Sequence, residues 1–192
     1  MESYQGSGMK ITWVIADAAE INPAIEIDRL RNIGPFWGGW RTWRSYNTDN
    51  VVCYNETDAR SLISRQFHLR CNMYLPDTVY QTVDRPEGVK LYQGKFHELV
   101  DHPDEIVSMH LASTTSDVIL LIGFDLTPRN LDHDRMAKHK WHNYVQYFLH
   151  IVKGSPDVQW VMLDHGTDIE KVLKNLPNLQ FDTLDNVLTQ FS

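Results

Sequence analysis

VILLIGF, residues 118–124, is apolar from end to end, glycine included, and lacks the alternation of a strand that wets one face. Short runs of this kind, rich in branched side chains, belong to strands covered on both sides, and sheets covered on both sides are overwhelmingly parallel with helices on each face. Working outward, five further β-rich runs stand at KITWVIA (10–16), VVCY (51–54), CNMYL (71–75), VKLYQ (89–93) and VQWVML (158–163). Longer amphipathic stretches alternate with them and predict helices over 23–31, 57–69, 102–113, 134–152, 168–174 and 183–190. Start signals support several of these: Asn22 before Pro23, Pro103-Asp104-Glu105 in a first turn, and Thr167 before Asp168 with Glu170 following. The alternation predicts an α/β fold, a single Rossmann-like domain whose mostly parallel sheet of about six strands carries helices on both faces.

The bulk properties agree with that class. The chain has 192 residues, 42% hydrophobic and 22% charged, and at this length roughly 70% of the unfolded surface leaves water on folding, so no disulfide or metal staple is required. The longest apolar run falls far short of the ~20 residues that cross a bilayer, and the first 30 residues do not read as a signal peptide. No membrane partner and a cytoplasmic location are therefore expected. Residues 1–8, MESYQGSG, are polar and glycine-rich and read as an appended or disordered leader, with 9–192 as the single domain. Eighteen basic against 25 acidic residues give a net charge of −7, which repels phosphate backbones and argues against a nucleic-acid partner. Cys53 and Cys71 each sit in an apolar run and are expected to be buried free thiols.

In open parallel sheets ligands bind beyond the carboxyl ends of the strands, where the strand order reverses. Those ends here carry Asp17, Asn55, Pro76, Gly94, Asp125 and the pair Asp164-His165. Any one of them is equally a turn or cap residue. The most unusual segment is GPFWGGWRTWR, residues 34–44, with three of the six tryptophans and two arginines. If it is helical from Gly39, Trp40 and Trp43 share one face with Arg44 beside Trp40. Indoles beside the guanidinium groups of Arg41 and Arg44 suit stacking on a base or sugar while arginine pairs a phosphate. Two other readings stay open: a core plug with arginines stacked on it, and a partner interface.

Nine histidines invite a metal, and His139 and His142 lie three apart on a predicted helix. No HExxH or paired CxxC accompanies them, and no metal is assigned. His165 directly follows a strand and is placed to hydrogen-bond a ligand. The phosphate-loop, dinucleotide and nucleophile-elbow fingerprints are all missing, and no cofactor is assigned.

One passage resembles a known family. MHLASTTSDVILLIGFDL (109–126) is similar to the small-residue helix, turn and strand ending in Gly-x-Asp-(Phe/Leu) of Rossmann-like sialyltransferases and related glycosyltransferase-like domains. In that family a loop, a histidine opening a helix and another strand follow, and here GFDLTPRNLDHDRMAKHKWHNYVQYFLHIV leads to VQWVML, so the likeness spans about 109–163. The resemblance implies a nucleotide or nucleotide-sugar binding transferase-like domain, with Asp125 beside the donor and His139 as the base that deprotonates the acceptor hydroxyl. After the first strand the family has a glycine-rich or Asn-Gly-Pro-Ser type turn where this chain has Ala16-Asp17-Ala18-Ala19, which implies either a different donor or a related fold without the activity. The expected site is thus Asp125 and His139 with a ligand-binding set of Asp17, Trp40, Arg41, Trp43, Arg44, Asp164 and His165. The alternative is a non-catalytic interaction module, homo-oligomeric or not, that uses residues 34–44.

Overall fold

In the computed structural model, which describes residues 8–16, 29–92, 103–124, 126, 134–163, 173 and 175–190, VILLI forms β6 (Val118–Ile122), buried at every position. It pairs in parallel with β1 (Ile11–Ile15) on one side and β7 (Gln159–Leu163) on the other. Beyond β1 come β2 (Phe36–Gly39), β3 (Asn50–Val52), β4 (Asn72–Leu75) and β5 (Val89–Leu91), and beyond β7 comes β8 (Leu179–Asp182). The sheet order is β5-β4-β3-β2-β1-β6-β7-β8, with all seven pairings parallel. The α/β Rossmann-like expectation holds, with eight strands rather than six and a wholly parallel sheet.

The two unpredicted strands have physical reasons. β2 is FWGG, and its paired glycines lie inside the tryptophan-rich segment, where they suppress a strand signal. β8 is LQFD, a four-residue edge strand with one buried position.

The chain steps outward from β1 to β5, then returns to the other side of β1 and steps outward again. Right-handed crossovers consequently place the two groups of helices on opposite faces. On one face lie helical residues 29–33, α1 (Trp40–Tyr46), α2 (Glu56–Ser64) and α3 (Asp77–Tyr80). On the other lie α4 (Pro103–Ser113) and α5 (Arg135–Gly154), whose Ile106, Met109, Phe148 and Ile151 pack on Val14, Ile119, Leu121 and Trp160. The last helix, α6 (Leu184–Gln190), returns to the first face and packs on Trp13, Leu120 and Val161.

Local chemistry sets the helix ends. Asn55 caps α2, its Oδ1 accepting from the Thr57 and Asp58 N–H groups at 2.8 and 3.2 Å. Asp134 caps α5 in the same way through Met136 and Ala137, both at 3.0 Å. The helix expected over 57–69 breaks at Gln66, whose φ of 61° is left-handed, and continues as the 3-10 turn Phe67–Leu69. The LASTTSD hydroxyls close the end of α4: Ser113 and Thr114 donate to the His110 and Leu111 carbonyls at 2.7 Å. Residues 1–7 of the leader, 23–28 of the first predicted helix and most of the predicted 168–174 helix lie outside the described residues.

Candidate functional site

Strand order reverses between β1 and β6, and in open parallel sheets ligands bind beyond the carboxyl ends of the strands at such a point. At that edge the Ala16 N–H donates to the Ile122 carbonyl at 2.8 Å, extending the ladder one residue. Gly123, at φ 79°, then turns the chain out of β6 through a conformation that favours glycine. Of the residues expected to line the crevice, Asp17, Asp125, Asp164 and His165 lie outside the described residues.

The first turn of α4 starts at the same edge and brings two carboxylates that the sequence marked only as helix-start signals. Asp104 Oδ1 accepts the Tyr54 N–H at 3.0 Å. Its side chain occupies the space a Cβ on Gly39 would need, 3.0 Å from the Asp104 Cβ, so the glycine at the end of β2 makes room for it. Glu105 is only 5% exposed, and its Oε2 accepts the Tyr144 hydroxyl of α5 at 2.6 Å. A buried carboxylate needs such a partner, since removal from water is otherwise costly. Burial, then Tyr54 and Asp104, push the Tyr92 hydroxyl well above its ordinary range. Burial, then Asp104, do the same to the Cys53 thiol. Both cysteines are free and buried, as expected.

The tryptophan segment is divided by the fold. Trp37 in β2 faces the α4 side, with its ring centroid 4.9 Å from that of Tyr74. Trp40 and Trp43 belong to α1 on the opposite face, where they pack on the cluster of Val51, Leu62 and Met73. Trp43 meets Phe67 edge-on at 4.2 Å. Arg44 and Arg41 lie over the Trp40 ring at 4.8 and 5.8 Å, so the helical spacing of Trp40, Trp43 and Arg44 is as read from the sequence. Trp40, Arg41, Trp43 and Arg44 form one group, anchored in the core by the indoles, and Trp37 is not part of it.

His139 is brought near none of these. The buried residues of α5 are Tyr144, Phe148, Ile151 and Val152, and at 100° per residue His139 stands on the opposite side of the helix. It is exposed, with Nε2 3.3 Å from the Asn143 amide nitrogen. What α5 does supply is reach. It has 20 residues against 11 in α4, and both helices end four residues before paired strands, so the amino-terminal part of α5 runs about 13 Å past the start of α4. That overhang carries Arg135, Lys138 and Lys140.

Among the described residues no helix is long and apolar enough to cross a membrane. No group of three or more histidine, cysteine or carboxylate side chains among them converges as a metal site. Comparison with family models, curated proteins and solved structures finds no match.

Proposed function

We propose that the protein binds a nucleotide or nucleotide-sugar in the crevice over the carboxyl ends of β1 and β6, as a glycosyltransferase-like domain. The observation that carries this reading is the reversal of strand order between those two strands in a wholly parallel sheet, the arrangement that opens a ligand crevice in such folds. The rims favour an anion attached to a ring. α1 leaves β2 beside β1 at the carboxyl edge and begins with Trp40 and Arg41, and the amino-terminal part of α5 carries Lys138 and Lys140. In a chain of net charge −7, cations gathered there suit a phosphate, and a half-exposed indole suits a base or sugar. The transfer step, with His139 as its base, rests on the family resemblance alone.

A thermal-shift panel of nucleoside mono- and diphosphates and of cytidine and uridine sugars tests the reading. A ligand at 100 times its dissociation constant adds about 2.7 kcal/mol, a melting shift of roughly 5 to 10 °C at this size. Arg41→Ala should weaken the shift while leaving the ligand-free melting temperature unchanged. No shift with any member, together with a concentration-dependent oligomer buried through Trp40 and Trp43, would replace the reading with the interaction module.

A further inference from the structure

A cavity of about 80 Å³ lies between α1 and α2, on the face of the sheet opposite α4. Trp43, Leu62 and Phe67 wall it, and Arg44, Ser61 and Arg65 bring polar groups to it. We propose that this cavity binds the carboxylate of a small monocarboxylic acid between the guanidinium groups of Arg44 and Arg65, with the short chain of the acid against the aromatic wall.

Size carries the first step. A space of about 80 Å³ holds roughly two or three waters, which is the bulk of a carboxylate with a short chain behind it. In a space so small every lining residue borders the same guest, so two arginines from different helices meet one group.

The walls stand before any guest arrives. Trp40 and Trp43 pack on the cluster that holds Val51 and Met73, and Trp43 meets Phe67 edge-on at 4.2 Å. The Arg44 guanidinium lies 4.8 Å from the centre of the Trp40 ring, a contact that steadies the cation without supplying a carboxylate. Arg44 is in the last turn of α1 and Arg65 caps the end of α2, where the helix dipoles favour positive charge. Both helices begin at the carboxyl edge of the sheet and carry these arginines at their other ends, so the assignment does not rest on the nucleotide reading.

Charge selects the guest. Arg60 of α2 pairs with Glu56 at 2.8 Å, but among the described residues neither Arg44 nor Arg65 makes an ion pair or a side-chain hydrogen bond. A guanidinium offers a planar fork of N–H donors that matches a carboxylate, and the Ser61 hydroxyl adds another donor. Asp58 also borders the cavity. Two cations against one anion leave a single positive charge, which one monoanion neutralises. A phosphate dianion would exceed that charge and meet the Asp58 carboxylate.

The test is titration of the full chain with propionate at constant ionic strength, followed through the indole N–H signals in NMR, since Trp40 and Trp43 border the cavity. Saturable shifts in the millimolar range are expected. Propionamide, of the same shape without the charge, should produce none. Arg44→Gln and Arg65→Gln should each weaken propionate about tenfold or more. Asp58→Asn should tighten propionate and admit inorganic phosphate, which the unaltered protein excludes. Circular dichroism checks folding, and Arg65, exposed at the end of its helix, gives the variant least able to disturb it. No saturable shift at high millimolar propionate, equal shifts with propionamide, or propionate binding that survives Arg65→Gln in folded protein would each overturn the assignment. Phosphate binding to the unaltered protein as tightly as propionate would overturn it too.

Discussion

The Tyr144 hydroxyl donates to the Glu105 carboxylate at 2.6 Å, tying α5 to α4 across a distance of 39 residues in sequence and inside a contact buried on both sides. Tyr144→Phe leaves the acid short of a donor without changing the packed volume. It should cost about 1 to 3 kcal/mol, read as a lower urea midpoint with unchanged slope. Glu105→Gln in the Tyr144→Phe background should cost less than Glu105→Gln alone, because coupled groups do not add. Additive losses would assign the two residues independent roles.

Two glycines should respond in opposite directions. A Cβ on Gly34 would stand 2.1 Å from the Ile11 carbonyl oxygen, a backbone atom that cannot swing aside. Gly34→Ala should destabilise by roughly 1 to 3 kcal/mol or more through the shift it forces between β1 and the entry to β2. Gly154, the last residue of α5, has nothing within 4 Å of its Cβ position. Gly154→Ala should be neutral or gain about 0.4 to 1 kcal/mol through the lower entropy of the unfolded chain. Melting temperatures of the two variants, measured side by side, check both signs.

The thiols and one imidazole bound a pH plateau of stability. Burial, then the charge of Asp49, push the Cys71 thiol from its ordinary 9.0 up to about 11. Its folded value lies above its unfolded one, so its contribution is intact below pH 9.0 and is lost as pH rises through about 11. His110 shifts the other way, below its ordinary 6.5, so stability falls as pH drops under that value, where the unfolded chain takes up the proton first. Melting temperature should therefore decline at both ends, and His110→Gln should flatten the acid side near pH 6. Both thiols should resist a disulfide reagent at pH 8 in the native state and release two equivalents in denaturant.

The fold was largely legible because its strongest signals are local. VILLIGF reads as a covered strand from composition alone, and Asn55 and Asp134 occupy the caps that their side chains suit. The strands that escaped are those whose identity depends on neighbours: FWGG pairs because β1 and β3 lie on either side of it. The candidate site was legible mainly at the level of the edge on which it lies. Pro103-Asp104-Glu105 looks like any helix start, and the burial of Glu105 is set by Tyr144, remote in sequence. The outward face of His139 is a different case. The apolar spacing of Tyr144, Phe148, Ile151 and Val152 fixes the helix phase and was available from the sequence.

The position of β1 has a consequence for synthesis. It leaves the ribosome ahead of the other seven strands of this sheet, yet it is an interior strand, paired with β2 on one side and with β6 on the other, where the Lys10 N–H meets the Asp117 carboxylate 107 residues away. Until residues 118–122 emerge, the nascent β1–β5 half carries an apolar strand as an open edge, the geometry that recruits foreign strands. The later segment β6–β8 then acts on the earlier one as an intramolecular chaperone, closing that edge by a contact so distant in sequence that it must form slowly.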